Sequence, residues 1–112
     1  MKRSVKSAQR EMRMIAVTIN AAGTVVSGPD NLAVTVTDTG TGDKLITFGK
    51  AFAAVPCVVC SSGTSATEVR KGTVSASSVQ ILSFASADGT TATDAIVDVL
   101  IMGKDVSSDY SE

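Results

Sequence analysis

Apolar and polar residues alternate strictly along residues 32–37 (LAVTVT), which predicts a β-strand because successive strand side chains point to opposite faces. Similar patterns predict further strands at residues 16–20, 24–27, 44–48, 55–61, 72–78, 79–85 and 95–102. Clusters of Gly, Pro, Asp, Asn, Ser and Thr predict loops between them at residues 27–31, 38–43, 62–71 and 86–94. Short strands joined by polar loops indicate an all-β fold, a single antiparallel β-sandwich of the jelly-roll or immunoglobulin-like kind, or a small barrel.

Two of the predicted strands, residues 55–61 and 95–102, are apolar on both faces. In the second of them one face carries Val97, Val99 and Ile101, and the other carries Ile96, Asp98, Leu100 and Met102. A strand that is apolar on both faces lies in the centre of a fold or meets another subunit. We therefore predict a homo-oligomer interface that includes Ile96, Leu100 and Met102. The alternative is that the faces are shifted by one residue, or that the core is thicker than assumed.

Basic residues are concentrated at the N-terminus. Of the 112 residues, the first 15 carry five basic side chains against one acidic one, and the remainder carries five basic against ten acidic ones. We predict an N-terminal basic arm at residues 1–15, a β-sandwich domain at 16–106 and an acidic tail at 107–112. The arm is predicted to dock on an acidic surface, and a solvated tail is the alternative. The docking residues would be Lys2, Arg3, Lys6, Arg10 and Arg13.

The arm has two possible conformations. Val5, Ala8, Met12 and Ile15 recur at spacings of three and four, which allows a short amphipathic helix. The same residues fit an extended segment along a partner equally well. No apolar run is long enough for a signal peptide or a transmembrane helix, which predicts a soluble chain made in the cytoplasm with no membrane partner. The arm lacks interleaved aromatic residues and the body is acidic, so nucleic acid is not a predicted partner.

No cofactor or metal is predicted. The chain has no His, and its only cysteines, Cys57 and Cys60, are three residues apart in a predicted strand. They would point to opposite faces, too far apart for a disulfide, and we interpret both as packing residues. Four loop aspartates offer an alternative calcium site without EF-hand spacing. They are Asp38, Asp43, Asp88 and Asp94.

The tetrapeptide at residues 38–41 (DTGT) has the signature of the aspartic proteases. In a retroviral-type enzyme, Asp38 from each of two subunits would share a proton at a dimer axis. The competing interpretation is a hairpin loop in which Asp and Gly supply the turn geometry. The loop is favoured because Gly42 and Asp43 follow where that family places small and apolar residues. We therefore predict no enzyme, with the protease kept as an alternative.

Three segments resemble a known module. Residues 23–48 (GTVVSGPDNLAVTVTDTGTGDKLITF) resemble a β module frequent in tail and other structural proteins of phages. Residues 50–59 (KAFAAVPCVV) are similar to a Phe, Phe, Pro-x-Val run that this module shares with H-type lectin domains. Residues 95–104 (AIVDVLIMGK) are similar to the apolar strand and Gly with which such modules end. Together the resemblance covers about residues 16–104.

The resemblance implies a β-sandwich that self-associates, often as a trimer, on the outside of a virion. A single module with a docking arm and no long shaft resembles a head decoration (cement) protein, whose partner would be the major capsid protein or another virion protein. The alternative is a tail accessory or tail-fibre module that binds a receptor like a lectin. In either case the expected location is the virion.

Overall fold

The computed structural model describes residues 12–24 and 26–105 of the chain. In these residues the strands form two four-stranded antiparallel sheets that pack together as a β-sandwich, which confirms the predicted fold class. The strands are β1 (Met12–Ile19), β2 (Val26–Ser27), β3 (Val34–Gly40), β4 (Asp43–Phe48), β5 (Cys57–Ser62), β6 (Thr67–Val74), β7 (Ser78–Ala85) and β8 (Val97–Lys104). A short 3-10 turn, Asn31–Ala33, precedes β3. No helix of the described residues is long and apolar enough to cross a membrane.

The first sheet has the strand order β2-β1-β8-β5, and the second has the order β3-β4-β7-β6. The core between them is filled by every second side chain of the central strands, as the period of a β-strand requires. Ile15, Val17, Ile19, Val58, Val97, Val99 and Ile101 come from the first sheet, and Val34, Ile46, Phe48, Val79 and Ile81 come from the second. Burial of each of these side chains stabilises the folded state by about 1.5–3 kcal/mol. Branched residues suit this pleated, half-buried surface.

Strand β1 begins at Met12, four residues before the predicted boundary of the sandwich domain. All eight of its residues pair with β8, from Met12 opposite Lys104 to Ile19 opposite Val97. The last part of the predicted arm, residues 12–15, is therefore a strand and not a helix. Pairing with a long central strand overrides the helical spacing of the local sequence.

Two further expectations are wrong in detail. Residues 67–71, predicted as loop, belong to β6, an edge strand that pairs with β7. The sequence of β6 is polar because only one side of an edge strand is paired and its side chains stay partly exposed. The apolar pattern that predicts a strand is therefore missing. Leu32 was predicted to share a face with Val34, but it lies in the 3-10 turn and is 93% exposed.

Candidate functional site

The outward side chains of the first sheet form a continuous apolar surface. Their register places Met14, Met102 and Cys57 side by side across β1, β8 and β5. The next outward row contains Ala16, Leu100 and Val59. We call these six residues, together with Met12, the apolar face. Met12, Met14 and Val59 are the most exposed of its large side chains, at 54%, 55% and 58%.

Opposite charges border the apolar face at its two ends. Lys104 lies beside Met12 at one end of β8. Asp98 lies beside Thr18 at the other end and accepts a hydrogen bond of 2.6 Å from the Thr18 hydroxyl. Residues 98 and 104 are six positions apart on one strand, which separates the two charges by roughly 20 Å. The face is therefore apolar in the middle, basic at one end and acidic at the other.

The apolar face is also uneven in height. A groove of about 320 Å³ lies over Leu100 and Asp98, between Ala16 and Pro29 on one side and Val59 on the other. The surface dips there because Ala16 has a short side chain. The adjacent row, with Met14 and Met102, carries long flexible side chains and forms a ridge.

The outward side of the second sheet has the opposite character. Its exposed residues include Thr35, Thr37 and Thr47. The amide of Gln80 donates to both carboxylate oxygens of Asp43, at 3.1 and 3.2 Å. The guanidinium of Arg70 lies 4.4 Å from the centre of the Phe84 ring and covers it. Leu45 and Leu82 also lie on this outward side, but both are half-buried, whereas Met12, Met14 and Val59 of the apolar face are exposed.

The predicted interface residues are only partly brought together. Leu100 and Met102 lie in the middle of the apolar face, as their spacing predicted. Ile96 lies before the start of β8, is 39% exposed and packs against the turn at Gly63. Met12 and Met14 were missed because they were assigned to the arm. The alternation of Met12, Met14 and Ala16 against the buried Ile15 and Val17 was the signal that could have revealed them.

Arg13, predicted to dock on a partner, is held within the fold instead. Its guanidinium lies 4.1 Å from the centre of the Phe52 ring and donates to the carbonyl oxygens of Lys50 at 2.8 Å and Ala51 at 3.0 Å. Its Nε lies 3.3 Å from Asp105 Oδ1, and both atoms are buried. Phe52 in turn packs edge-on against Phe48 and closes one end of the core. The other predicted docking residues, Lys2, Arg3, Lys6 and Arg10, lie outside the described residues.

The loop aspartates are occupied by local hydrogen bonds. Asp38, in the candidate protease signature, is exposed on the edge strand β3 and accepts the Gly40 N–H at 3.2 Å. Asp94 accepts the Gly42 N–H, and Asp88 accepts the N–H groups of Thr90 and Thr91. Within residues 12–24 and 26–105, no three Asp, Glu, Cys or His side chains are grouped closely enough to hold a metal ion.

The two cysteines are free and point to opposite faces, as predicted. Cys60 is half-buried and packs against the core. Burial raises the pKa of its thiol, and the positive charge of Lys71 opposes that shift. Cys57 is exposed on the apolar face, so its prediction as a packing residue is wrong. Both thiols lie on β5, but only Cys57 is open to a partner.

No protein family model, curated protein or solved structure matches the chain.

Proposed function

We propose that this chain is a structural protein of a phage particle, an oligomeric head decoration (cement) protein that binds the particle surface. The observation that carries the proposal is the contrast between the two sheets. The second sheet covers Phe84 with Arg70 and pairs Gln80 with Asp43, but the first sheet leaves the apolar face uncovered. Exposed contiguous apolar surface of this kind is typical of contact with another protein.

The resemblance of residues 16–104 to a phage structural module supports the choice of particle. Most of residues 16–104 form the strands of the two sheets and their short connections. A compact domain of this kind suits a small protein that binds to a larger assembly. The exposed side chains of the apolar face, such as Met14 and Val59, suit contact and not reaction chemistry.

The basic residues that precede β1 are proposed to contact an acidic surface on the particle. Arg13 belongs to the fold, so this role falls to Lys2, Arg3, Lys6 and Arg10. Basic residues near an acidic partner accelerate encounter and fix orientation, and their effect weakens as salt rises.

Mass spectrometry of purified virions tests the proposal directly. We expect the protein in particles at hundreds of copies, the number that covers a capsid. A few to a few tens of copies would place it in the tail and favour the receptor-binding alternative. Its absence from particles would refute both.

The docking role of the N-terminal segment has its own test. A chain in which Lys2, Arg3, Lys6 and Arg10 are replaced by Gln is added to particles that lack the protein, and bound protein is measured. We expect binding to be lost at physiological salt. A matched chain with Lys50→Gln and Lys71→Gln, which changes exposed basic residues of the domain, should bind like the original. Undiminished binding by the first variant would refute the docking role.

A further inference from the structure

We propose that the apolar face is the contact between two copies of this chain, packed face to face about a two-fold axis that lies in the interface and runs across the strands. This inference deepens the proposed function by naming the first partner of the apolar face. Two-fold contacts bring the same surface of both chains together, so the surface has to be complementary to itself. The apolar face meets this requirement in both shape and charge.

The axis fixes which residues meet. With the axis crossing β8 at the level of Ile101, the strands of the two sheets run in opposite directions. The Met102 row of one copy then lies over the Leu100 row of the other, and Met14 lies over Ala16. Sheets packed in this way are separated by about 10 Å, a distance that side chains from both faces fill together.

The shapes of the two rows match in this arrangement. The groove of about 320 Å³ lies over Leu100, beside the short side chain of Ala16. The ridge made by Met14 and Met102 lies one row away, at about 7 Å along the strands. The pairing therefore places the ridge of each copy in the groove of the other. Methionine side chains are flexible enough to fill a groove of irregular shape.

The charges select the direction of the axis. With the axis across the strands, Lys104 of each copy faces Asp98 of the other, which gives two pairs of opposite charge. An axis along the strands would instead bring Lys104 near Lys104 and Asp98 near Asp98. Like charges placed opposite each other at an interface are unfavourable, so the first arrangement is preferred.

A trimer, which the resemblance favours, joins two different patches of neighbouring copies, because a three-fold axis does not bring a surface onto itself. Among the described residues, the outward side of the second sheet is mostly polar, with Gln80 bonded to Asp43 and with its apolar residues Leu45, Leu82 and Phe84 half-buried. A ridge and groove that match each other favour a pair. On these observations we choose the two-fold pair over the trimer.

The contact is small, as in weak or transient complexes. Strands β1, β8 and β5 span about 14 Å across and 26 Å along the strands. This footprint is small for a stable dimer, so we expect a dissociation constant on the order of 10–100 µM. On a particle, where docking holds many copies close together, a contact of this strength is sufficient because the local concentration is high.

Analytical ultracentrifugation of the full chain from 10 to 500 µM tests the pair. We expect reversible formation of a species of twice the chain mass. Val59→Lys should weaken association at least about tenfold, because it buries an unpaired charge in the contact. Thr47→Lys adds the same charge at an exposed residue on the outward side of the second sheet and should leave association unchanged. A monomer at 500 µM, or a trimer, would overturn the inference.

Charge reversal tests the direction of the axis. Asp98→Lys alone and Lys104→Asp alone should each weaken self-association, because each places like charges opposite each other. A mixture of the two variants should form a mixed pair, since both facing pairs are then opposite in sign. Thermal melts confirm that each variant is folded. Failure of the mixture to associate while the wild type still forms pairs would exclude this axis.

The outcomes separate this inference from the proposed function. A protein found on virions that remains monomeric in solution at 500 µM would leave the proposed function intact and remove the pair. A two-fold pair in solution, with no protein found on virions, would support the pair and refute the proposed function.

Discussion

The side chain of Lys44 is 1% exposed and points between the two sheets, where the alternation of β4 would accommodate an apolar residue. Its ammonium group donates to the carbonyl oxygen of Ala95 at a long 3.5 Å. No carboxylate of the described residues lies within ion-pair distance of it. A buried charge with a single weak partner opposes folding because it has lost its hydration.

We therefore expect Lys44→Met to stabilise the protein by about 1 kcal/mol, because methionine keeps the aliphatic packing and removes the desolvated charge. The free energy of unfolding in urea measures the effect. Lys50→Met, at a position where the side chain is 60% exposed, is the matched control and should change stability by less than about 0.5 kcal/mol. A loss of stability in Lys44→Met would show that the bond to Ala95 outweighs the cost of burying the charge.

Arg13 acts through its planar guanidinium, which stacks on Phe52 while it donates to two carbonyl oxygens. A lysine cannot reproduce this geometry, so Arg13→Lys should destabilise the protein by about 2 kcal/mol. Arg70→Lys, at a side chain that also stacks on a phenylalanine but is 52% exposed, should cost less than about 1 kcal/mol. Urea unfolding of both variants compares them. Equal losses of stability in the two variants would contradict the role of Arg13 in holding Phe52 at the end of the core.

The carboxylate of Asp88 accepts hydrogen bonds from the Thr91 hydroxyl and the Thr90 N–H, which stabilise the turn at residues 88–91. These bonds lower the pKa of the carboxyl to about 2. A lowered pKa in the folded state means that the ionised carboxylate stabilises the turn above about pH 4 and that this contribution is lost as the pH falls toward 2. The melting temperature of the wild type should therefore exceed that of Asp88→Ala at pH 5 and approach it at pH 2. A difference that stays constant between pH 5 and pH 2 would contradict this account.

At the scale of the element, the turn between β3 and β4 depends on close backbone packing. Gly42 has a φ of +67°, and a Cβ added there would lie 2.5 Å from the carbonyl oxygen of Ser83. Gly40 in the same turn also has a positive φ, but a Cβ there would meet nothing within 4 Å.

We expect Gly42→Ala to cost at least about 2 kcal/mol more than Gly40→Ala, because both strain the backbone but only the first collides with β7. Thermal or urea unfolding of the two variants measures the difference. Similar losses in both would show that backbone strain dominates and that the close approach can relax.

The alternating apolar pattern was sufficient to predict the central strands, because residues such as Ile46 and Val99 are buried at the period of a strand. It failed at β6, where a polar edge strand is specified by its pairing with β7 and not by its own sequence. It also failed at the start of β1, where Met12 and Arg13 pair with the end of β8, more than 80 residues away in the chain. At β6 no periodic signal is present, whereas at the start of β1 the alternation is present but lies among charged residues.

For the candidate site, the doubly apolar pattern of β8 correctly placed Leu100 and Met102 on an outward face. The contribution of β1 was missed because charged neighbours made residues 12–15 look like part of the arm. The sequence does not show which strands are neighbours in the sheet. The residues that lie side by side on the apolar face could therefore be identified only from the strand register of the structure.

At the scale of the whole molecule, we expect the residues that precede Met12, the first residue of β1, to contribute little to the stability of the sandwich. A chain that lacks residues 2–11 should melt within about 2 °C of the full chain. A chain that lacks residues 2–13 should melt at least about 5 °C lower, because it loses the Arg13 clamp on Phe52. Differential scanning calorimetry compares the two. Equal melting temperatures would place the boundary of the folded domain beyond residue 13.

The pairing of Met12 with Lys104 has a geometric consequence, since it brings both termini of the described domain to one pole of the sandwich. In the proposed pair the strands of the two copies run in opposite directions, so these poles lie at opposite ends of the pair, about 20 Å apart along the strands. Met12, the first described residue, therefore lies at opposite ends of the two copies. For the proposed function, this arrangement gives the pair two sites of contact with the particle, one at each end, whereas a single copy has one.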